Sequence, residues 1–100
     1  MLNILPIGSI VYLKDGSQKL MILNRGVTIN QNGEDVLFDY SASFYPIGLN
    51  PKQIFYFNQE DIDQVIFEGY SDCDEKRFAE LYKKWLSENN FKKGITKRLN

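Results

Sequence analysis

The chain has 100 residues, 43% of them hydrophobic and 25% charged, with 7 Gly and 3 Pro, proportions that fit one small globular domain and exclude a collagen-like, low-complexity or globally disordered chain. The formal net charge of −1 disfavours a dedicated nucleic-acid binder; the absence of His removes imidazole acid–base catalysis, His-containing triads and imidazole metal ligands; and the single Cys73 excludes an internal disulfide or a CxxC zinc site. No apolar run approaches the roughly 18 residues that span a bilayer, and Met1-Leu2-Asn3-Ile4-Leu5-Pro6 lacks the basic and apolar regions of a signal peptide, so a cytoplasmic chain is expected.

The first two-thirds reads as strands. Ser9-Ile10-Val11-Tyr12-Leu13 is β-branched and aromatic, opened by Pro6-Ile7-Gly8 and closed by Asp15-Gly16. Lys19-Leu20-Met21-Ile22-Leu23 follows after a short connection and should pair with it. The pattern continues into Val27-Thr28-Ile29, with Gly26 predicting a bulge or bend. Asn32-Gly33 is a type I′ hairpin signal, and Glu34 to Phe44 returns as a third strand with Val36, Phe38, Tyr40 and Ala42 on one face. Residues 44–51 carry two prolines and a glycine and predict a loop. Gln53 to Phe57 is a fourth strand, Asn58 caps a single helical turn, and Gln64 to Glu68 is a fifth strand.

The last third changes period. Phe78, Leu81, Tyr82, Trp85 and Leu86 form the apolar stripe of an amphipathic helix, with Asp72 and Glu75 at capping-box spacing and Asn89-Asn90 as a stop. A stripe of this size is expected to be buried against the strands. Together the elements predict a mostly β, α+β domain: a curled antiparallel meander, forming a small SH3-like barrel of about five strands with a C-terminal helix over it. It would occupy residues 1–90, with residues 91–100 a basic tail.

Charge is partitioned along the chain. Residues 1–52 hold four bases and four acids, residues 53–75 seven acids and no base, and residues 76–100 eight bases and two acids. Either the basic helix lies near an acidic edge of its own domain, or the tail Lys92-Lys93-Gly94-Ile95-Thr96-Lys97-Arg98 contacts an acidic partner.

Seven of the fourteen aromatics fall within residues 38–57: Phe38, Tyr40, Phe44, Tyr45, Phe55, Tyr56 and Phe57. Neighbours on a strand face opposite sides, so either Phe55 and Phe57 are core with Tyr56 at the rim, or part of the cluster is an exposed patch that docks a peptide or helix. The candidate partner-binding residues are Tyr40, Phe44, Tyr45, Tyr56 and the sole tryptophan, Trp85. Glu60, Asp61 and Asp63 lack the glycine of a calcium loop and read as ordinary partners of a helix dipole. Cys73 lies between two acids with no His to serve as base, and no phosphate-binding loop motif occurs. No catalytic, metal or cofactor site is therefore expected. The expected partner is another protein; a small β-barrel that binds nucleic acid through its basic end is the alternative.

Leu5-Pro6-Ile7-Gly8-Ser9-Ile10-Val11-Tyr12-Leu13-Lys14-Asp15-Gly16, Lys19 to Ile22, Asp39-Tyr40, Tyr45-Pro46-x-Gly48 and the run from Phe57 to Tyr70 resemble a family of small Firmicute proteins known as domain of unknown function 4176. The resemblance covers roughly residues 4–86 and departs from the family at Ser41-Ala42-Ser43, where relatives are more hydrophobic. Such proteins are typically encoded beside type VII (WXG100/LXG) secretion genes. The resemblance therefore implies a cytoplasmic accessory, adaptor or immunity-type protein that binds a secretion component, effector or chaperone client, and it carries over no catalytic residue.

Overall fold

The structure, a computed structural model, describes residues 4–96. Its centre is a long hairpin. Strands β2 (Leu20–Gln31) and β3 (Glu34–Phe44) pair antiparallel on either side of Asn32-Gly33, whose φ angles of 54° and 86° are those of the expected type I′ turn. Strand β1 (Ile10–Leu13) pairs antiparallel with β2, β4 (Phe55–Phe57) with β3, and β5 (Ile62–Phe67) with β1. The result is one five-stranded antiparallel sheet in the order β4-β3-β2-β1-β5, followed by a single helix, α1 (Cys73–Glu88). No helix among the described residues is long and apolar enough to cross a membrane.

The meander expected from sequence order stops at β4, because β5 returns to β1. Only residues 58–61, containing a 3-10 turn at Gln59–Asp61, connect the two edge strands. In a flat sheet those strands would stand about 19 Å apart, four spacings of about 4.8 Å. A 3-10 turn rises only about 2 Å per residue, so the link pulls the edges together and the sheet must curl. No strand pairing among the described residues joins β4 to β5, and the sheet remains open.

The concave side of the curl holds Val11, Leu13, Leu20, Ile22, Tyr40, Ala42 and Phe57, all buried. Strand β3 is covered on both faces: every residue from Val36 to Ser43 is buried. By alternation Leu37, Asp39, Ser41 and Ser43 line the side away from Tyr40 and Ala42. Strand β5 is a guarded edge. Two register shifts against β1, at Ile10/Val11 and Tyr12/Leu13, kink it, and Asp63 and Glu68 are exposed.

Gly26 does not make the expected bulge; the register shift in β2 lies between Ile22 and Asn24. Gly26 instead makes a notch. Its φ is +65°, and a Cβ there would meet the Tyr82 ring at 2.6 Å. Tyr82 fills this notch and is the only buried residue of α1. The helix therefore does not bury its whole stripe. Its contacts with the sheet are largely polar, Glu75 to Arg25 and Tyr82 to Asp39.

Gly26→Ala should thus cost roughly 2 kcal/mol or more, from overpacking against Tyr82 together with backbone strain at positive φ. Urea unfolding followed by Trp85 fluorescence checks this. Unchanged stability would mean that the notch does not seat the helix.

Candidate functional site

Helix α1 starts where its cap dictates. The Asp72 side chain accepts a hydrogen bond from Glu75 N–H at 3.0 Å, and Asp74 and Glu75 lie in the first turn, where the dipole favours acids. Glu75 is then drawn onto the sheet by Arg25. The guanidinium donates from both terminal nitrogens to the two Glu75 oxygens at 2.7 Å, donates to Leu5 O at 2.8 Å, and lies 4.4 Å from the centre of the Phe78 ring. The Arg25 side chain is almost wholly shielded, so this is a buried bidentate pair rather than a surface ion pair. A second pin is polar as well: Tyr82 O–H donates to Asp39 Oδ1 at 3.2 Å.

Pinned at these two points, α1 presents the rest of its stripe outward. Phe78 is 39% exposed, Leu81 54% and Trp85 38%. The rings form a row, with centroids 6.1 Å apart for Phe78 and Tyr82, 6.0 Å for Tyr82 and Trp85, and 4.4 Å for Trp85 and Phe91. Between this row and Arg25-Gly26 of β2 runs a shallow groove of about 580 Å³, with Lys84 and Glu88 at its rim. Such a face can bury apolar surface of a protein partner.

The residues singled out from sequence are scattered. Tyr40 is interior: its hydroxyl accepts from Leu5 N–H at 2.8 Å and donates to Gln59 Oε1, leaving no surface for a partner. Phe44 is half-buried against Phe55, with ring centroids 4.5 Å apart. Tyr45 is exposed, precedes a cis bond to Pro46, and has Lys19 Nζ 5.9 Å from its ring centre. Tyr56 is half-buried beside Phe38 and lines a second concavity, of about 540 Å³, between β4 and the β2–β3 turn. Only Trp85 belongs to the groove on α1. Its companions Phe78 and Leu81 read from sequence as core, because periodicity marks a stripe without saying what covers it.

Three residues that organise this region carried no signal as single positions: Arg25, Asp39 and Lys93. The Asp39 side chain is fully shielded and accepts from Gln59 N–H at 2.9 Å, from Tyr82 O–H, and from Lys93 Nζ at 2.7 Å on both oxygens. An acid within the apolar run Val36-Leu37-Phe38-Asp39-Tyr40 was the available hint. Lys92 pairs with Glu34 at 3.0 Å, so both described lysines of the tail are engaged within the chain, while Lys97 and Arg98 lie outside the described residues. No ion pair among the described residues joins Lys76, Arg77 or Lys84 of the helix to an acid of residues 53–75. No group of three His, Cys, Asp or Glu side chains among them is placed to hold a metal.

The family model described as domain of unknown function (DUF4176) matches residues 4–78. The chain belongs to the DUF4176 family. No curated protein and no solved structure matches it. In this DUF4176 chain the match contains all five strands, Arg25, Asp39 and the first turn of α1, and it ends at Phe78, the first aromatic of the exposed row.

Two phenols, Tyr40 in the core and Tyr82 on α1, are displaced from the ordinary value of 10.0. Burial pushes Tyr40 up to about 12. Burial also raises Tyr82, with the adjacent Asp39 carboxylate adding to the shift. For a group whose folded value is raised, the stability it contributes is complete below the unfolded value and is lost as pH climbs through the folded one. The domain should therefore weaken above pH 10, with Tyr40 and Tyr82 ionising late among its six tyrosines. Ultraviolet titration of the phenolates alongside circular dichroism checks this; early ionisation of all six without unfolding would contradict it. Tyr82→Phe should keep the ring in the Gly26 notch and cost about 1 kcal/mol for the lost hydrogen bond.

Proposed function

We propose that the chain is a non-enzymatic protein-interaction module, an SH3-like barrel with an appended helix, acting in the cytoplasm as an accessory or adaptor of a Gram-positive type VII secretion system or its LXG effectors. The observation that carries the interaction reading is α1, an amphipathic helix that buries Tyr82 and leaves Phe78, Leu81 and Trp85 in solvent. An exposed apolar stripe is costly in water unless a partner covers it. The groove beside Gly26 receives apolar side chains of the partner, and Lys84 and Glu88 at its rim set their orientation. A standard interface removes about 800 Å² from each partner, within reach of a domain of this size. The secretion context rests on the resemblance of the segments from Leu5 to Tyr70 alone. Pairing of Lys92 with Glu34 and of Lys93 with Asp39 withdraws these bases from phosphate and weighs against the nucleic-acid alternative.

Leu81→Glu and Trp85→Ser, each made in the full chain, should abolish co-purification with a co-expressed type VII component or LXG effector. Because Leu81 is exposed, Leu81→Glu should shift unfolding free energy by no more than about 0.5 kcal/mol. Undiminished capture by both variants would exclude the α1 face as the docking surface.

A further inference from the structure

Residues 92–96 lie along the sheet as a bound peptide would. Leu37 N–H donates to Lys92 O at 2.8 Å and Gly94 N–H donates to Leu37 O at 2.9 Å, a parallel pairing at Leu37 and Lys93. The edge of β3 is thus shared: β4 covers Tyr40 to Ala42, and this segment covers Leu37. Two side-chain amides complete the ladder where no strand does. Asn58 Oδ1 accepts from Asp39 N–H at 3.0 Å while its Nδ2 donates to Gly94 O at 2.9 Å. Gln31 Nε2 donates to Ile95 O and its Oε1 accepts from Ile95 N–H, both at 3.0 Å.

The cleft also reads side chains. Lys93 Nζ sits 2.7 Å from each oxygen of Asp39, whose side chain is fully shielded. Gly94 lies so close to Phe38 that a Cβ would fall 2.2 Å from the ring. A lysine followed by glycine is therefore demanded: the first by an otherwise uncompensated buried charge, the second by space.

The occupant is held by polar contacts and buries little. Only Gly94 of the segment is buried, and Ile95 is 76% exposed. Segments with so little apolar burial open at a fraction of the global unfolding free energy. Beside Ile95, which is one of its lining residues, lies the concavity walled by Ile29, Phe38, Ile54 and Tyr56, while Thr96 turns to Asp61, to which its hydroxyl donates. Every receptor group, from Gln31 to Asn58, lies inside the family-matched residues 4–78, and the occupant lies outside them.

We propose that this cleft is a binding site for an extended peptide of another chain bearing Lys-Gly followed by apolar residues, and that residues 92–96 fill it in cis as a displaceable mimic. The site lies apart from the exposed Phe78, Leu81 and Trp85 face, although it shares Asp39 with Tyr82 of α1. A trans peptide continuing past the glycine gains the apolar walls that the cis segment leaves uncovered.

Fluorescence anisotropy with a labelled synthetic peptide Phe-Lys-Lys-Gly-Ile-Thr and full-length protein tests this. Wild-type protein should bind weakly, because the cis segment competes. Full-length Lys93→Ala, which loosens the occupant and frees Asp39, should bind about tenfold tighter or more, since the open form is no longer a minor population. Changing the peptide's glycine to valine, or its second lysine to alanine, should remove that gain. The double variant Lys92→Ala/Thr96→Ala, which keeps the Lys93–Asp39 pair, should give a smaller gain of the same kind and covers the case in which Lys93→Ala fails to fold. Binding by the loosened proteins no tighter than wild type, or equal binding of the valine peptide, overturns the proposal.

Discussion

A carboxylate with no access to water organises one side of this domain. Asp39 sits in the middle of β3, and removing such a charge from water costs several kcal/mol unless it is paired and hydrogen-bonded. Three separate parts of the chain supply the partners: the backbone of Gln59 in the turn after β4, the hydroxyl of Tyr82 on α1, and the ammonium of Lys93 beyond the helix. None of the three lies on β2, the strand beside Asp39. The charge therefore couples the seating of the turn, the helix and the C-terminal segment, since losing any one leaves a buried acceptor less satisfied.

The same polar clamp accounts for the exposed stripe. A helix held by apolar burial would turn its whole hydrophobic face inward. Here Arg25 fixes Glu75 at the start of α1 and Asp39 fixes Tyr82 at its middle, while Gly26 leaves the space that the Tyr82 ring fills. The orientation set by these contacts leaves Phe78, Leu81 and Trp85 outside the core. Interspersed charges of both signs along α1, with Arg77 and Lys84 against Glu80 and Glu88, limit indiscriminate sticking of that stripe.

Local features were legible in the sequence. The Asn32-Gly33 turn, the alternation through β3, and the limits of α1 between Asp72 and Asn89 all depend on residues close in sequence, and each is where the pattern predicts it. The return of β5 to β1 was not legible, because it follows from how far residues 58–61 can reach across a curled sheet. Tyr40 read as a docking candidate because it belongs to the aromatic cluster of residues 38–57, whereas it lies in the core with its hydroxyl satisfied by Leu5 and Gln59. Conversely, Phe78 and Leu81 read as core because a helical period marks an apolar stripe without saying how much of it the sheet covers. Asn58 stands at the start of its turn as expected, yet its amide bridges Asp39 and Gly94, a role set by neighbours distant in sequence.

Native-state hydrogen exchange on Asp39→Asn beside the wild type tests the coupling most directly. The account predicts that Gln59 N–H, Gly94 N–H and the amides of α1 lose protection together, while Ile22 N–H, bonded to Ser9 O within the β1–β2 core, stays protected. Unchanged protection of α1 and Gly94, or a uniform loss that includes Ile22, would contradict it.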